Sequence, residues 1–230
     1  MSKHKVLVVA AHPDDEVLGC GGTINNHVKK GDDVSILILG EGITSRGAGK
    51  SRNTEKELGV LKEQCAKAAK FLGVKKICFA DFPDNSFDAV PLLTVVKVVE
   101  NIKKQIAPSI IYTHYEGDLN IDHRITFQAV MTACRPLREE TVKKIYSFEV
   151  LSSTEWGRAP VGVFNPDVYR DITPYIKNKI KAFSVYKGEV KKWPHPRSVE
   201  GVDVLARKRG SESGLEYAEA FRLVRDIGSV

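Results

Sequence analysis

Lys5-Val6-Leu7-Val8-Val9-Ala10-Ala11-His12-Pro13-Asp14-Asp15-Glu16 is the stretch that decides the fold. Its first six residues are almost continuously apolar and rich in valine, which predicts a short strand over Lys5–Ala10 buried on both faces. A turn of one imidazole, one proline and three carboxylates follows. A helical pattern over Gly19–Lys30 comes next and stops at Gly31, a suitable C-cap. Working outward, the unit repeats. Strands are expected at Val34–Leu39, Lys76–Ala80 and Ser109–Thr113. Helices are expected at Glu55–Leu72, at Pro91–Ile106 with proline near its first turn, and at Arg124–Leu137. Strict alternation of this kind implies right-handed crossovers and a mostly parallel sheet with helices on both faces, the α/β class. Beyond residue 143 the order loosens. Strands are expected at Ile145–Val150, Val168–Ile172 and Ala220–Val224, and helices at Pro174–Tyr186 and Val199–Arg209. No linker-like composition divides the chain, so residues 1–230 read as a single domain.

In open sheets of this class, ligands bind beyond the carboxyl ends of the strands. Four loops meet on that rim: Ala11–Leu18, Gly40–Arg52, Asp81–Asp88 and His114–His123. The first packs one histidine and three carboxylates into five residues, which is costly without a cation. Histidine with aspartate suits a divalent metal of the zinc type. Pro13 can turn His12 and Asp15 toward one point and leave Asp14 free for proton transfer. The plainer reading makes Asp14 or Asp15 a helix cap. The loop after the fourth strand offers His123 as a third ligand, with Asp122 positioned to orient a histidine. His114, nearer the strand end, reads as a packing or hydrogen-bonding residue. Gly19, Gly21 and Gly22 raise an alternative, a non-hydrolytic nucleotide-binding module. However, an acidic loop stands where a pyrophosphate would rest, and close helix–sheet packing explains these glycines more simply.

Ala11-His12-Pro13-Asp14-Asp15-Glu16 together with Asp122-His123 resembles the PIG-L/LmbE-like zinc-dependent N-acetylglucosaminyl deacetylases. Gly214-Leu215-Glu216-Tyr217-Ala218-Glu219-Ala220-Phe221 is similar to that family's C-terminal stretch. The resemblance implies a Rossmann-like, LmbE-like deacetylase fold, with Zn2+ held by His12, Asp15 and His123 and with Asp14 as general base. It implies hydrolysis of an N-acetyl group from an amino sugar, sugar conjugate or nucleotide sugar. Iron, cobalt or manganese would also suit two histidines and one aspartate. Two positions depart from the pattern. Asn120 stands where many members carry an oxyanion-stabilising histidine. Leu61 aligns with an arginine that many members carry at the start of the helix after the second strand, although Arg46 and Arg52 precede it. Asn120 can donate a hydrogen bond but cannot transfer a proton, so His195, set between two prolines, is expected to compensate. Glu41, Arg46, Asp118 and Asn120 are expected to meet sugar hydroxyls. Arg46 or Arg197 would meet a phosphate if the substrate carries one, and Trp193 could stack on a sugar face.

Composition narrows the alternatives. The chain has 230 residues, 42% hydrophobic and 28% charged, which excludes disorder as its main state. Its net charge of +6 divides evenly, +3 in residues 1–115 and +3 in 116–230, in short scattered clusters. That distribution predicts a solvated surface rather than a nucleic-acid or membrane partner. The apolar run Val6–Ala11 is far shorter than the roughly 18 residues of a membrane span. Four scattered cysteines without a C-x-x-C pair fit a reducing compartment. A cytoplasmic enzyme acting on a small molecule is therefore expected, with a homo-oligomer left open.

Overall fold

The computed structural model describes residues 3–42, 52–157 and 163–228. Seven strands are present: β1 (Lys5–Ala10), β2 (Asp33–Gly40), β3 (Lys76–Phe82), β4 (Ile110–His114), β5 (Lys144–Phe148), β6 (Val168–Asp171) and β7 (Ala218–Asp226). The helices are α1 (Asp15–Lys29), α2 (Arg52–Leu72), α3 (Leu92–Ile106), α4 (Ile121–Ala133), α5 (Ile176–Phe183) and α6 (Val199–Ser213). All seven strands form one sheet in the order β3-β2-β1-β4-β5-β7-β6. β1 to β5 run parallel, whereas β7 is antiparallel to both β5 and β6.

The continuous apolar character of β1 follows from burial on both faces. Val6, Val8 and Ala10 point into a core shared with Leu18, Cys65 and Phe183, from α1, α2 and α5. Leu7 and Val9 point into a second core with Val95 and Val99 of α3 and Ala129 of α4. β1 lies between β2 and β4. The chain therefore winds one way through β2 and β3, then crosses back to lay β4 on the other side of β1. This reversal opens a crevice between the loops after β1 and β4, the place where open α/β sheets bind ligands.

Several element ends shift by a few residues from expectation, and two of these shifts concern the site. α1 starts at Asp15, not Gly19, so both acidic residues after Asp14 lie in its first turn. α4 starts at Ile121, three residues before Arg124, so Asp122 and His123 stand on a helix rather than a loop. The cause is local: the Asn120 side chain accepts the Asp122 N–H at 2.8 Å and caps the helix.

The glycines of α1 serve packing. A Cβ on Gly19 would lie 2.3 Å from Phe148 Cδ2, and one on Gly22 would lie 2.6 Å from Ile172. The helix breaks at Cys20, whose φ of −148° is non-helical. A buried ion pair stitches the break. Glu219 accepts from Gly22 N and Thr23 N at 2.8 and 2.7 Å. Lys179 Nζ donates to Leu18 O at 2.8 Å and to Glu219 at 2.6 Å. Among the described residues, no helix is long and apolar enough to cross a membrane.

Candidate active site

The turn after β1 folds around Asp15. Its Oδ2 accepts the His12 N–H at 2.8 Å, and Asp15 N donates to His12 O at 3.3 Å. This tight loop forces Asp14 to φ +106° and ψ −28°. An L residue in that region carries roughly 1–3 kcal/mol of strain, which persists only when surrounding contacts over-determine it. Those contacts are present. The Asp14 N–H donates to Glu16 Oε2 at 3.0 Å, and Tyr186 donates its hydroxyl proton to Glu16 Oε1 at 2.5 Å. Burial pushes the Glu16 carboxyl up to about 7 against the pull of Tyr186.

His12, Asp15 and His123 converge. His12 Nδ1 and His123 Nε2 each lie 3.3 Å from Asp15 Oδ2. Ligand atoms about 2.0–2.2 Å from a tetrahedral metal stand roughly 3.3–3.5 Å apart, so these spacings match the edges of such a site. The remaining histidine nitrogens are occupied. His12 Nε2 meets Asp122 Oδ2 at 2.9 Å, and Asp122 Oδ1 accepts the Phe87 N–H at 2.9 Å. His123 Nδ1 lies 3.1 Å from Asp118 Oδ1. Each imidazole is thus backed by a carboxylate that orients the ring and raises its basicity, the usual support of a metal-bound histidine. Asp15 Oδ1 and His123 Nε2 are buried with no hydrogen-bond partner, as atoms reserved for a cation would be. The electrostatics agree. Burial works against charge on both rings, yet the carboxylates prevail. His12 rises to about 10 through Asp122 and Asp15, and His123 to about 9 through Asp15 and Asp118. A second grouping, His12 with Asp84 and Asp122, is also compact. It draws on His12 Nε2, which Asp122 already holds, so the unpartnered atoms favour the first.

His114 packs, as its place at the strand end suggests. Its Nε2 accepts the Ala11 N–H at 2.8 Å, and its ring stacks on His123 with centroids 3.9 Å apart. Burial, reinforced by His123, holds it well below its ordinary pKa and therefore neutral.

A polar cleft opens over these ligands, lined by residues including His12, Asp14, Asp84, Asn120, Glu189 and Arg197. Asp14 is 1% exposed. Burial drives its carboxyl well above the ordinary range, opposed by Arg197, whose Nη1 donates to Asp14 Oδ2 at 3.0 Å. Arg197 also lies 3.6 Å from Glu189 and donates from Nε to Leu151 O.

Several residues stand elsewhere than their loops suggest. Asp118 does not line the cleft. It is 2% exposed, sits behind His123, and accepts from Ser153 Oγ, Thr154 Oγ1 and Asn120 N. Its oxygens face this cluster of donors rather than the cleft. His195 is not among the cleft-lining residues either. Its Nδ1 accepts the Arg197 N–H at 3.0 Å and its ring lies edge-on to Trp156. The same loop sends Arg197 into the cleft instead. Asn120 does line the cleft, but its oxygen caps α4 and its Nδ2 donates to Asn85 at 2.9 Å. Glu41 is buried and hydrogen-bonds through its N–H to Phe82 O. Leu61 lies within α2 and joins the core, and α2 itself begins at Arg52. Arg46 lies outside the described residues. Glu16, Asp84, Tyr186 and Glu189 also belong to the site, beyond the residues expected from sequence. Glu16 and Asp84 carried a signal, as acidic residues in rim loops. Tyr186 and Glu189 carried none.

At its switch point the α/β sheet gathers a His-Asp-His group that could hold a metal ion, with a buried aspartate next to it in the chain. The family profile of PIG-L, GlcNAc-PI de-N-acetylase, matches residues 7–134, and the chain belongs to that family. It is 28% identical over 192 residues to a probable N-acetyl-alpha-D-glucosaminyl L-malate deacetylase 2 of Bacillus cereus, covering 82% of this chain and 84% of that one. It is 29% identical over 239 residues to diacetylchitobiose deacetylase of Thermococcus kodakarensis, covering 97% and 84%. Among solved structures, the 4-carboxy-2-hydroxymuconate hydratase GalB of a Pseudomonas shares the fold, with a TM-score of 0.78, 20% identity and coverage of 98% of each chain. The fold thus carries more than one chemistry, and the sequence relatives and family place this chain among the de-N-acetylases.

Proposed function

We propose that the chain is a metal-dependent hydrolase that removes the acetyl group from an N-acetylated amino sugar. One observation carries this reading: His12 Nδ1 and His123 Nε2 each stand 3.3 Å from Asp15 Oδ2, the spacing of a tetrahedral edge, with the buried carboxylate of Asp14 next in the chain. A bound zinc or similar divalent cation would supply Lewis acidity and an activated water at neutral pH. The protein supplies the rest. Asp122 and Asp118 fix the tautomers of His12 and His123, so that each ring offers its other nitrogen. Asp14 takes a proton from the attacking water as general base and returns it to the amide nitrogen as the C–N bond breaks, so that acetate and the free amine leave. Arg197 pins the Asp14 carboxylate in one orientation, and Glu16 with Tyr186 holds the backbone beneath it. Asn120 offers only an amide to the cleft, so it binds but does not relay a proton.

We further place the enzyme in the cytoplasm as a single catalytic unit. Its four cysteines are free thiols, three of them buried. β5, β6 and β7 extend the same sheet as β1 to β4, and Glu189 and Arg197 close the cleft opened by His12 and Asp14.

The test is an amine-release assay over N-acetyl sugars with chelated enzyme and metal added back. Activity should vanish on chelation and return with metal. Asp14→Asn should lose roughly 100- to 10,000-fold in kcat while still binding metal. Amine release indifferent to chelation and to His12→Ala would sink the reading. Tight nucleotide binding that survives His12→Ala would favour the nucleotide module instead.

A further inference from the structure

We propose that Glu16 and Tyr186 are a positioning pair for the general base: they keep the Asp14 carboxylate from collapsing onto α1 as a helix cap and hold it free for the cleft. This inference rests on the deacetylase reading and adds two residues, one of them from far along the chain, to its machinery.

Asp14 stands at the N-cap of α1. An aspartate there ordinarily takes an extended backbone, and its side chain folds back to accept an N–H of the first helical turn. Asp14 does neither. Its φ is +106°, and its side chain makes no capping hydrogen bond. Its carbonyl takes that duty, accepting the Val17 N–H at 3.0 Å and the Leu18 N–H at 2.9 Å. The carboxylate instead lines the cleft and meets Arg197 Nη1 at 3.0 Å. Rotation of Asp14 to the extended region would relieve its backbone strain and offer the carboxylate a cap bond. Local energetics therefore favour a shift that would take the base away from the cleft, and a contact from outside the turn must oppose it.

Glu16 supplies that contact. Its Oε2 accepts the Asp14 N–H at 3.0 Å. Rotation about the Asp14 φ swings this N–H away from Glu16, so the bond resists the shift. A flexible glutamate alone would follow the backbone, but Tyr186 fixes it by donating its hydroxyl proton to Oε1 at 2.5 Å. Tyr186 lies just after α5, is fully buried, and packs in one core with Leu18, Cys65 and Phe183. Its hydroxyl is a fixed point against which the turn is braced. Glu16 and Tyr186 are both fully buried and are not among the cleft-lining residues, so they act through Asp14 and touch no substrate. Arg197 holds the carboxylate and this pair holds the backbone beneath it, two restraints on separate parts of one residue.

The test uses Tyr186→Phe, Glu16→Ala and Glu16→Gln in the full chain, with kcat and KM from amine release at saturating zinc, zinc affinity from competition against a chromophoric chelator, and crystal structures of the zinc-free variants. Tyr186→Phe and Glu16→Ala should lower kcat by roughly 10- to 100-fold, the cost of a misplaced catalytic group. KM and zinc affinity should stay within about twofold, since neither side chain touches substrate or metal ligand. In the Glu16→Ala crystal structure, Asp14 should take an extended φ with its carboxylate on an N–H of the first turn. Glu16→Gln should recover most of the kcat that Glu16→Ala loses. Its amide oxygen can accept the Asp14 N–H, and its nitrogen can donate to the Tyr186 hydroxyl, which also shares a hydrogen bond with Cys65. A Glu16→Gln variant as slow as Glu16→Ala would assign the effect to charge and overturn the proposal. So would zinc affinity falling in step with kcat, the mark of a general loosening of the turn. A positive φ retained at Asp14 in Glu16→Ala would overturn it as well. A parent enzyme that releases no amine from any N-acetyl sugar would refute the deacetylase reading, and the Asp14 φ in the Glu16→Ala crystal structure would then decide the positioning claim by itself.

Discussion

Asp118→Asn separates two roles that the loop after β4 could give this residue. The substitution is nearly isosteric. The amide oxygen can stay on Asn120 N–H, His123 and Ser153, while its nitrogen turns to Thr154, whose hydroxyl can accept as well as donate. What disappears is the negative charge 3.1 Å from His123 Nδ1. Loss of such a carboxylate behind a metal-binding histidine weakens metal affinity by roughly 10- to 100-fold, which is about 1.4–2.7 kcal/mol. The cluster stays hydrogen-bonded, so stability should fall by no more than about 1–3 kcal/mol. At this chain length that corresponds to roughly 2–12 °C in Tm. Metal affinity is read by competition against a chromophoric chelator, Tm by calorimetry, and KM by amine release at saturating metal. Metal affinity within twofold of the parent, in a variant that remains folded, would refute the support role. A rise in KM alone would return Asp118 to the sugar contact expected from its loop.

Arg197→Ala should lower kcat more than it alters metal affinity, with partial recovery on adding guanidinium salts. Arg197→Lys should recover less than the ion suggests, since lysine lacks the Nε–H that anchors Arg197 to Leu151 O. Gly19→Ala should destabilise the protein by about 1–3 kcal/mol with nucleotide affinity unchanged, because its Cβ would meet the Phe148 ring; chemical denaturation reads this directly. Glu140 adds a pH dependence remote from the site. Burial raises its carboxyl pKa, but the hydrogen bond and charge of Lys103 outweigh burial and hold it below the ordinary value. A depressed carboxyl pKa stabilises the fold above the ordinary glutamate range and loses that contribution as pH falls through the folded value. The Tm gap between the parent and Glu140→Gln should therefore be present at pH 7 and close below about pH 4.

The parts of the site that could be read in advance are those encoded locally. His12, Pro13, Asp14 and Asp15 are contiguous, and a buried strand before them fixes where they emerge. His123 follows because the rim of a parallel sheet gathers its loops. The reading weakened wherever a side chain's partner lay far along the chain. Asp118 belonged to an exposed-looking polar loop until Ser153 and Thr154, more than thirty residues on, closed over it. α4 starts earlier than its apolar pattern indicates because Asn120, a residue type among the best of caps, closes its first turn.

His195 and Arg197 show the same limit from the other side. A histidine between prolines answered a chemical need, a proton donor where Asn120 supplies none, and chemistry alone favoured it. Backbone geometry places the two residues differently. Lys191 N donates to Arg197 O at 2.9 Å and His195 N to Lys192 O at 3.0 Å, so the loop closes on itself. That turn puts His195 against Trp156 and sends the Arg197 guanidinium to Asp14. The residues contributed after position 134 therefore act mainly through those before it. Arg197 orients Asp14, Tyr186 steadies Glu16 beneath it, Ser153 and Thr154 hold Asp118 on His123, and the Lys179–Glu219 pair secures the break in α1. The candidate metal ligands His12, Asp15 and His123 lie within the family-matched segment, but their alignment depends on contacts from the other half of the sheet. Replacing that half should loosen metal binding before it abolishes the fold of β1 to β4.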